Sequence, residues 1–459
     1  MKRSFPLLLV FASFALSAFS TTRISLDELQ NGGWQRLQGQ EIIITTPLVV
    51  CGTFYDSVTL APERLYCPEE RAVGLADGDS TAYYRHMAYN DSIRIRLQCP
   101  RKYDLNLGAT VRGLRARVTG VRQLQSGKTP RYRNYRPAKR TPQLGEATLR
   151  VCAANIQNYF VHLGGYASRK TTNLQHSLQR LKVASALHRL NAQLYALCEI
   201  EKGEAAPAEL TDAMNNAAGH DIYDYVHTGV PDGDTISVGF IYDRRFLRPF
   251  GELRRAYPDN SNIYSARFVL QGFEEINTGE RFVVSLNHLR SKRGNPDDSA
   301  RRRNNNATAL LRCIADAYAD STYSDPDILL LGDYNSYTYE LPLQSIVRAG
   351  YQDILMRDDS LGYSYSYKGE CGYLDRVYAS PTMARQITAA HPIHWNTDFY
   401  YSAGFSSKYN FKSNNENIET THTESPKSLH RNLTRAAKRN ILFRYADHDP
   451  ILVGIKLGK

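Results

Sequence analysis

Ile328-Leu-Leu-Leu-Gly-Asp-Tyr-Asn335 decides how the rest of the chain is read. A short apolar run that ends abruptly in polar residues is the pattern of a buried strand delivering side chains to a sheet rim. Side chains alternate faces along a strand, so Asp333 and Asn335 point the same way. A carboxylate and an amide side by side can hold a water and an oxyanion; the plain alternative is a Gly-Asp-x-Asn turn.

Working outward, the same pattern recurs. Phe282–Leu286 leads into Asn287-His288, and Leu194–Cys198 into Glu199, with Glu201 two residues on. Arg150–Ala154 leads into Asn155, with Asn158 close behind. Asp375 precedes one further strand and Asp447-His448-Asp449 the last, Ile451–Ile455. Helical spacing fills the intervals: Leu174, Leu178, Leu181, Ala184 and Leu187 in one, and Ala307, Leu310, Leu311, Ile314 and Tyr318 in another. Strands alternating with helices predict an α/β or α+β layered domain over residues 148–459. Singly, each polar ending reads as a turn or a cap; six from one domain are harder to explain that way.

The N-terminal part differs. Residues 1–20 have the form of an export signal, with Lys2 and Arg3 ahead of an apolar run from Phe5 to Phe19 and small residues at Ala18 and Ser20. That run is short for a bilayer span, and no later segment is apolar enough, so a soluble, exported (periplasmic or extracellular) protein without stable membrane insertion is expected. Residues 21–120 contain short β-type runs, among them Glu41–Thr45, Leu48–Phe54, Ser92–Leu97 and Ala109–Gly120, which predict a small all-β, barrel-like domain; an oligonucleotide-binding-type barrel is one candidate. Residues 121–147 read as a basic, Pro-rich linker, and its Tyr132 and Tyr135 among arginines also suit a nucleic acid strand. The seven cysteines lack zinc-site spacing; Cys51 with Cys67 is a candidate pair, while Cys152 and Cys198 read as buried thiols. A net charge of +11 favours capture of polyanions without identifying one.

The series Asn155-Ile-Gln-Asn158, Cys198-Glu199-Ile-Glu201, Asn287-His288-Leu-Arg-Ser291, Gly332-Asp333-Tyr-Asn335, Leu374-Asp375-Arg376 and Asp447-His448-Asp-Pro450 resembles the endonuclease/exonuclease/phosphatase family, and within it exported bacterial nucleases with an N-terminal barrel-like domain. The resemblance implies a four-layer α/β/β/α sandwich with its site at one end. It implies that Glu199 binds a divalent metal, Mg²⁺ or Mn²⁺, with Asn155 and Asp447 beside it. Asp333 and Asn335 orient the attacking water and contact the phosphate, Asp375 holds His448 in the useful tautomer, and His448 takes the proton from water. His288 protonates the leaving oxygen or stabilises its charge, with Glu201 as the candidate carboxylate to orient it. Asn158, Arg290 and Lys292 are the expected substrate-binding residues, and nucleic acid, DNA or RNA, the expected partner. The chemistry is coherent without the family: a hard cation on oxygen ligands shields an anionic diester from an attacking hydroxide, and two histidines divide the proton work.

Cys198 stands where Gln is common, Ser336 where an acid is frequent and Ala446 where Ser is usual; none of these removes a catalytic group. The expected activity is a phosphodiesterase of nuclease type. A sphingomyelinase or inositol-phosphate phosphatase on the same scaffold is the alternative enzyme, and a catalytically silent binding module is the alternative outside enzymes. Lys408, Lys412, Lys427, Arg431, Arg435, Lys438, Arg439 and Arg444 make residues 400–445 a basic insertion, expected to emerge near the site.

Overall fold

A computed structural model describes residues 21–458 apart from 55, 103, 166–170, 231–233, 258–266, 401–403, 405–409 and 411–429. The expected export signal and much of the basic insertion therefore lie outside the described residues.

The apolar runs become strands of two stacked six-stranded sheets. One is ordered 223–225, 236–243, 194–201, 149–159, 451–455, 387–392; the other 247–255, 268–275, 281–288, 328–333, 375–379, 352–353. Strand alternation sorts the side chains. Val151, Ala153, Val284, Leu286, Leu329 and Leu331 pack between the sheets. Their neighbours Cys152 and Ala154 face an outer layer containing helices Asn173–Leu190 and Ala205–Ala218. Val283, Ile328 and Leu330 face the opposite layer, with Pro296–Ala319 and Leu341–Arg348. The result is the α/β/β/α sandwich, in which each fully buried Leu or Val contributes about 1.5–3 kcal/mol.

The expected helices form where local signals agree. Thr172 and Gln175 close a capping box at the start of the first, which ends on left-handed Asn191. Asn295 caps the third, with Pro296 in its first turn.

The N-terminal region folds into a curled eight-stranded sheet, ordered 22–24, 41–44, 114–120, 123–125, 95–98, 57–61, 48–53, 110–111, around its own apolar core. Its pairing continues through Gln123–Gln125, and a bridge joins Thr110 to Arg133, so sheet contacts extend into residues 121–147. Helix Thr81–Ile93 is an addition the all-β expectation did not contain: it buries only Asn90 and Ile93, so no apolar stripe announces it. No disulfide forms. Cys51 packs with Ala61, Leu65 and Ile93, while Cys67 packs with Tyr337 and Leu374, which separates the candidate pair. Cys152 and Cys198 are fully buried thiols, as expected.

The two parts interlock. Leu65–Tyr66 pairs in parallel with Glu370–Cys371 of the Tyr365–Gly372 hairpin. Glu70, on the turn that follows, is buried and receives two hydrogen bonds of 3.1 Å from Arg376 Nη2, one of 3.0 Å from the Thr338 amide, and others from the Thr338 hydroxyl and the Tyr373 amide. Arg64 pairs with the buried Asp398 at 2.9 Å. Among the described residues, no helix is long and apolar enough to cross a membrane.

Candidate active site

Where the inner core reaches one rim, its apolar parity continues in polar residues. Asn155 follows Val151 and Ala153, His288 follows Val284 and Leu286, Asp333 follows Leu329 and Leu331, and Asp375 shares the face of Val377. Strand register fixes their order: His288 stands opposite Asp333, and Asp333 opposite Asp375. Gly332 makes this possible. At φ 128°, a Cβ there would sit 2.0 Å from the Asn287 carbonyl oxygen, so the strand before Asp333 needs glycine.

Asp333 is the hub and is 1% exposed. Its Oδ2 accepts from Asn155 Nδ2 across the gap between sheets at 3.1 Å and from Asn335 Nδ2 at 3.1 Å, while Oδ1 accepts from the Asn335 amide at 2.8 Å. His288 Nε2 lies 3.7 Å and His448 Nε2 4.0 Å from the same oxygen. His448 Nδ1 is hydrogen-bonded to Asp375 Oδ2 at 2.9 Å, and the Asp375 amide donates to Ser364 Oγ at 3.0 Å. Asn155, His288, Asp333 and Asp375 from four strands, Asn335 just beyond one of them and His448 from the last loop thus converge.

Glu199 and Asn158 reach the rim through backbone irregularity. Glu199 sits in a β-bulge between Cys198 and Ile200 with φ 63°, which turns its side chain out of the strand's regular alternation. The partner strand is irregular between Asn155 and Tyr159, with Gln157 and Asn158 at φ 59° and 51°. Asn335, at φ 46°, completes a group of left-handed non-glycine residues of the sort that cluster at functional sites.

The electrostatics are lopsided. Burial pushes the Asp333 carboxyl up to about 7; His448 opposes this, while Asp375 and Glu199 add to it. Burial works against a charged His448, yet Asp375 and Asp333, with a smaller part from Asp447, outweigh it and hold the ring well above the ordinary imidazole range. His288 goes the other way: burial, then Arg267 and His448, keep it neutral. The two upward shifts differ in origin: burial dominates at Asp333, whereas His448 is raised by the carboxylates crowded around its ring. A bound cation would relieve that crowding. Among the described residues no three or more His, Cys, Asp or Glu side chains are grouped as a metal site; hard divalent cations are commonly held by one or two carboxylates, neighbouring oxygens and water. The donor set of Glu199, the Asn155 amide and Asp447 fits that chemistry.

Other expected residues fall differently. Glu201 does not orient His288: it accepts from the Val161 and His162 amides at 2.7 and 3.1 Å, and His288 Nδ1 has no partner among the described residues. In a regular strand positions 199 and 201 would share a face, but the bulge at 199 separates their directions. Lys292 Nζ is held by Glu340 at 2.5 Å and faces Glu69 at 3.8 Å, which ties it to the junction with the N-terminal region. The Arg290 amide donates to Asn306 Oδ1 at 3.0 Å, and Asn158 Oδ1 is buried without a partner among the described residues.

Sequence reasoning missed Tyr365, whose ring lies 4.5 Å from that of His448 and which feels Asp447, Asp333, Arg444 and Arg293. It also missed Arg267, buried and paired with Asp234. Neither carries a local motif, since their proximity comes from strand pairing and loop packing alone.

Residues 160–384 match the family model described as endonuclease/exonuclease/phosphatase family. Members of that family are hydrolytic phosphoesterases that generally use divalent metals. Asn155, Asp447 and His448 lie outside the matched stretch and are brought to it because strand 149–159 pairs with 194–201 on one side and with 451–455 on the other. No curated protein matches the sequence. Similar solved structures include an endonuclease/exonuclease/phosphatase from Bacteroides vulgatus (13% identity, 67% of this chain and 98% of that chain covered, TM-score 0.43). Another is a mannosyl-6-phosphatase from Bacteroides thetaiotaomicron (14% identity, 67% and 99% covered, TM-score 0.43). A third is the human Nocturnin catalytic domain with bound sulfate (11% identity, 67% and 94% covered, TM-score 0.42).

Proposed function

From the match of residues 160–384 to the endonuclease/exonuclease/phosphatase family, we propose that this chain is an exported, Mg²⁺- or Mn²⁺-dependent phosphodiesterase that hydrolyses nucleic acid. The observation that carries the reading is Asp333 held by Asn155 and Asn335 between two imidazoles, one of them on a buried carboxylate.

Glu199 and Asn155 with Asp447 would hold the metal, which would supply Lewis-acid polarisation of the phosphate and the positive charge this site lacks. Asp333 and Asn335 orient the attacking water. As the water oxygen bonds to phosphorus, His448 Nε2 takes its proton, and Asp375 on Nδ1 holds the tautomer and stabilises the imidazolium that forms. For this the ring must begin neutral, so the carboxylate field around it has to be offset. The bond from phosphorus to the leaving oxygen then breaks. Buried and neutral, His288 donates a hydrogen bond to that oxygen, which takes its proton from solvent as the product leaves, while His448 returns the proton it took to solvent. Arg293 and Arg444, both felt by Tyr365, provide positive charge beside the site for neighbouring phosphates.

The test is incubation of the full chain with supercoiled plasmid, RNA and sphingomyelin, with metal and with chelator. Metal-dependent nicking or RNA cleavage, lost in Asp333→Ala and His448→Ala, is expected. Lipid turnover without cleavage of either nucleic acid would replace the nuclease reading with the lipid one, and no turnover would leave a binding module.

A further inference from the structure

Beside the site, a cleft of about 410 Å³ opens between the N-terminal sheet and the sandwich. Among the described residues its lining includes four cations, Arg101, Lys102, Lys368 and Arg444, and no carboxylate. Lys102 has an exposed partner outside the lining, Asp104 at 3.3 Å, a pair that costs little to exchange. The cleft also carries flat rings. Phe54 is 46% exposed, and Tyr400 is stacked on Phe399 at 4.6 Å, which is itself stacked on Phe443 at 4.7 Å. Ser57, 3% exposed, lines the cleft with a hydroxyl that has no partner among the described residues.

The cleft and the candidate site share a wall. Tyr365 lies against His448, while Ser366 and Lys368, next along the same hairpin, line the cleft; Arg444 lines it too and is felt by Tyr365. A polymer whose phosphate occupied the site would therefore continue into this opening.

We propose that the cleft binds a single-stranded nucleic acid segment flanking the scissile phosphate, with Lys102 and Lys368 on phosphates and Phe54 and Tyr400 against bases. The proposal rests on the nuclease reading above. Rings select single strands, because a duplex keeps its base faces stacked on one another, and a simple polyanion would leave the rings unused. The N-terminal sheet is then half of the substrate groove.

Binding is measured by fluorescence anisotropy on the full chain in chelator, with a labelled oligothymidine of about 10 nucleotides, the same sequence as duplex, and an abasic analogue, over a range of salt. Wild type is expected to bind the single strand more tightly than either comparison ligand. Phe54→Ala should weaken single-strand binding at least about fivefold. Lys102→Ala with Lys368→Ala should lower the salt slope by about 1.4, two phosphate contacts at about 0.7 each. Both altered lysines and Phe54 are outside the apolar core, and melting curves check that the variants remain folded. Unchanged binding in all variants, or equal affinity for the duplex or the abasic strand, overturns the proposal. Cleavage by wild type with metal is scored in parallel. Cleavage with binding indifferent to the cleft variants removes the cleft and leaves the nuclease. Cleft-dependent binding without cleavage of any nucleic acid removes the nuclease and leaves the cleft.

Discussion

Asp375 and Arg376 are neighbours on one strand, and the surroundings of the two side chains are opposites. Arg376 is completely buried with Glu70 at 3.1 Å and Asp353 at 3.3 Å; burial opposes its charge, but Glu70 and Asp353 outweigh it and raise its pKa further. Asp375 faces the rim, where His448 is the cation and Asp333, Glu199 and Asp447 add negative charge. One cluster is closed, with its charges answered by side chains of this chain. The other is left with an excess that only something from outside can balance. A buried ion pair is poor evidence for net stability, but its rupture is costly, whereas an uncompensated carboxylate costs stability from the start and signals function.

That contrast can be broken by mutation. The largest effect should come from the open cluster: His448→Ala or Asp333→Ala is expected to lower kcat about 10²- to 10⁴-fold, read by single-turnover cleavage of a labelled oligonucleotide. In the closed cluster, Glu70→Ala leaves Arg376 buried without its main partner and should cost roughly 3–5 kcal/mol in urea unfolding; a loss under about 1 kcal/mol would mean that the pair is not closed as described.

A smaller effect combines two opposing changes. Asp333→Asn should remove activity while shifting the melting temperature of the metal-free protein at pH 8 by only a few degrees, because it deletes a charge that burial disfavours together with an acceptor of the Asn155 and Asn335 amides. The pH dependence follows the same logic. Asp333 and His448 both have raised pKa values in the folded chain, so the folded state binds more protons than the unfolded one. Their contribution to stability is greatest at low pH. The Asp333 part declines from about pH 4, its ordinary range, through about 7, and the His448 part declines above the ordinary imidazole range. Thermal melts of metal-free protein from pH 5 to 9 should show that fall relative to Asp333→Asn, and added Mg²⁺ should flatten it. The smallest change expected is at Lys292, 32% exposed and held by Glu340: Lys292→Ala should cost about 1 kcal/mol or less.

Much of the sandwich was legible because its strands are apolar runs with a polar residue at one consistent end. Asp333, His288 and Asp375 could be named before any geometry, since strand parity and register carry each to the rim. No motif marks a carboxylate that orients His288, and Glu201, named in default of one, is held by the Val161 and His162 amides instead. Tyr365 and Arg267 were invisible because they reach the site from a hairpin and a strand start that have no periodic relation to it. The helix at 81–93 escaped because it is almost all surface. Glu70 was hidden most deeply, as a carboxylate in a turn of one region whose meaning depends on an arginine 306 positions away.

The strand Leu65–Tyr66, laid along Glu370–Cys371, has a consequence for anyone dividing or recombining this chain. A cut in residues 121–147 looks like a clean seam, yet the excised sandwich would leave an unprotected edge at 370–371 and a guanidinium stranded in its interior. Grafting the sandwich onto a different partner would have to carry residues 64–70 along, so the unit of inheritance here is the interlocked pair rather than either half.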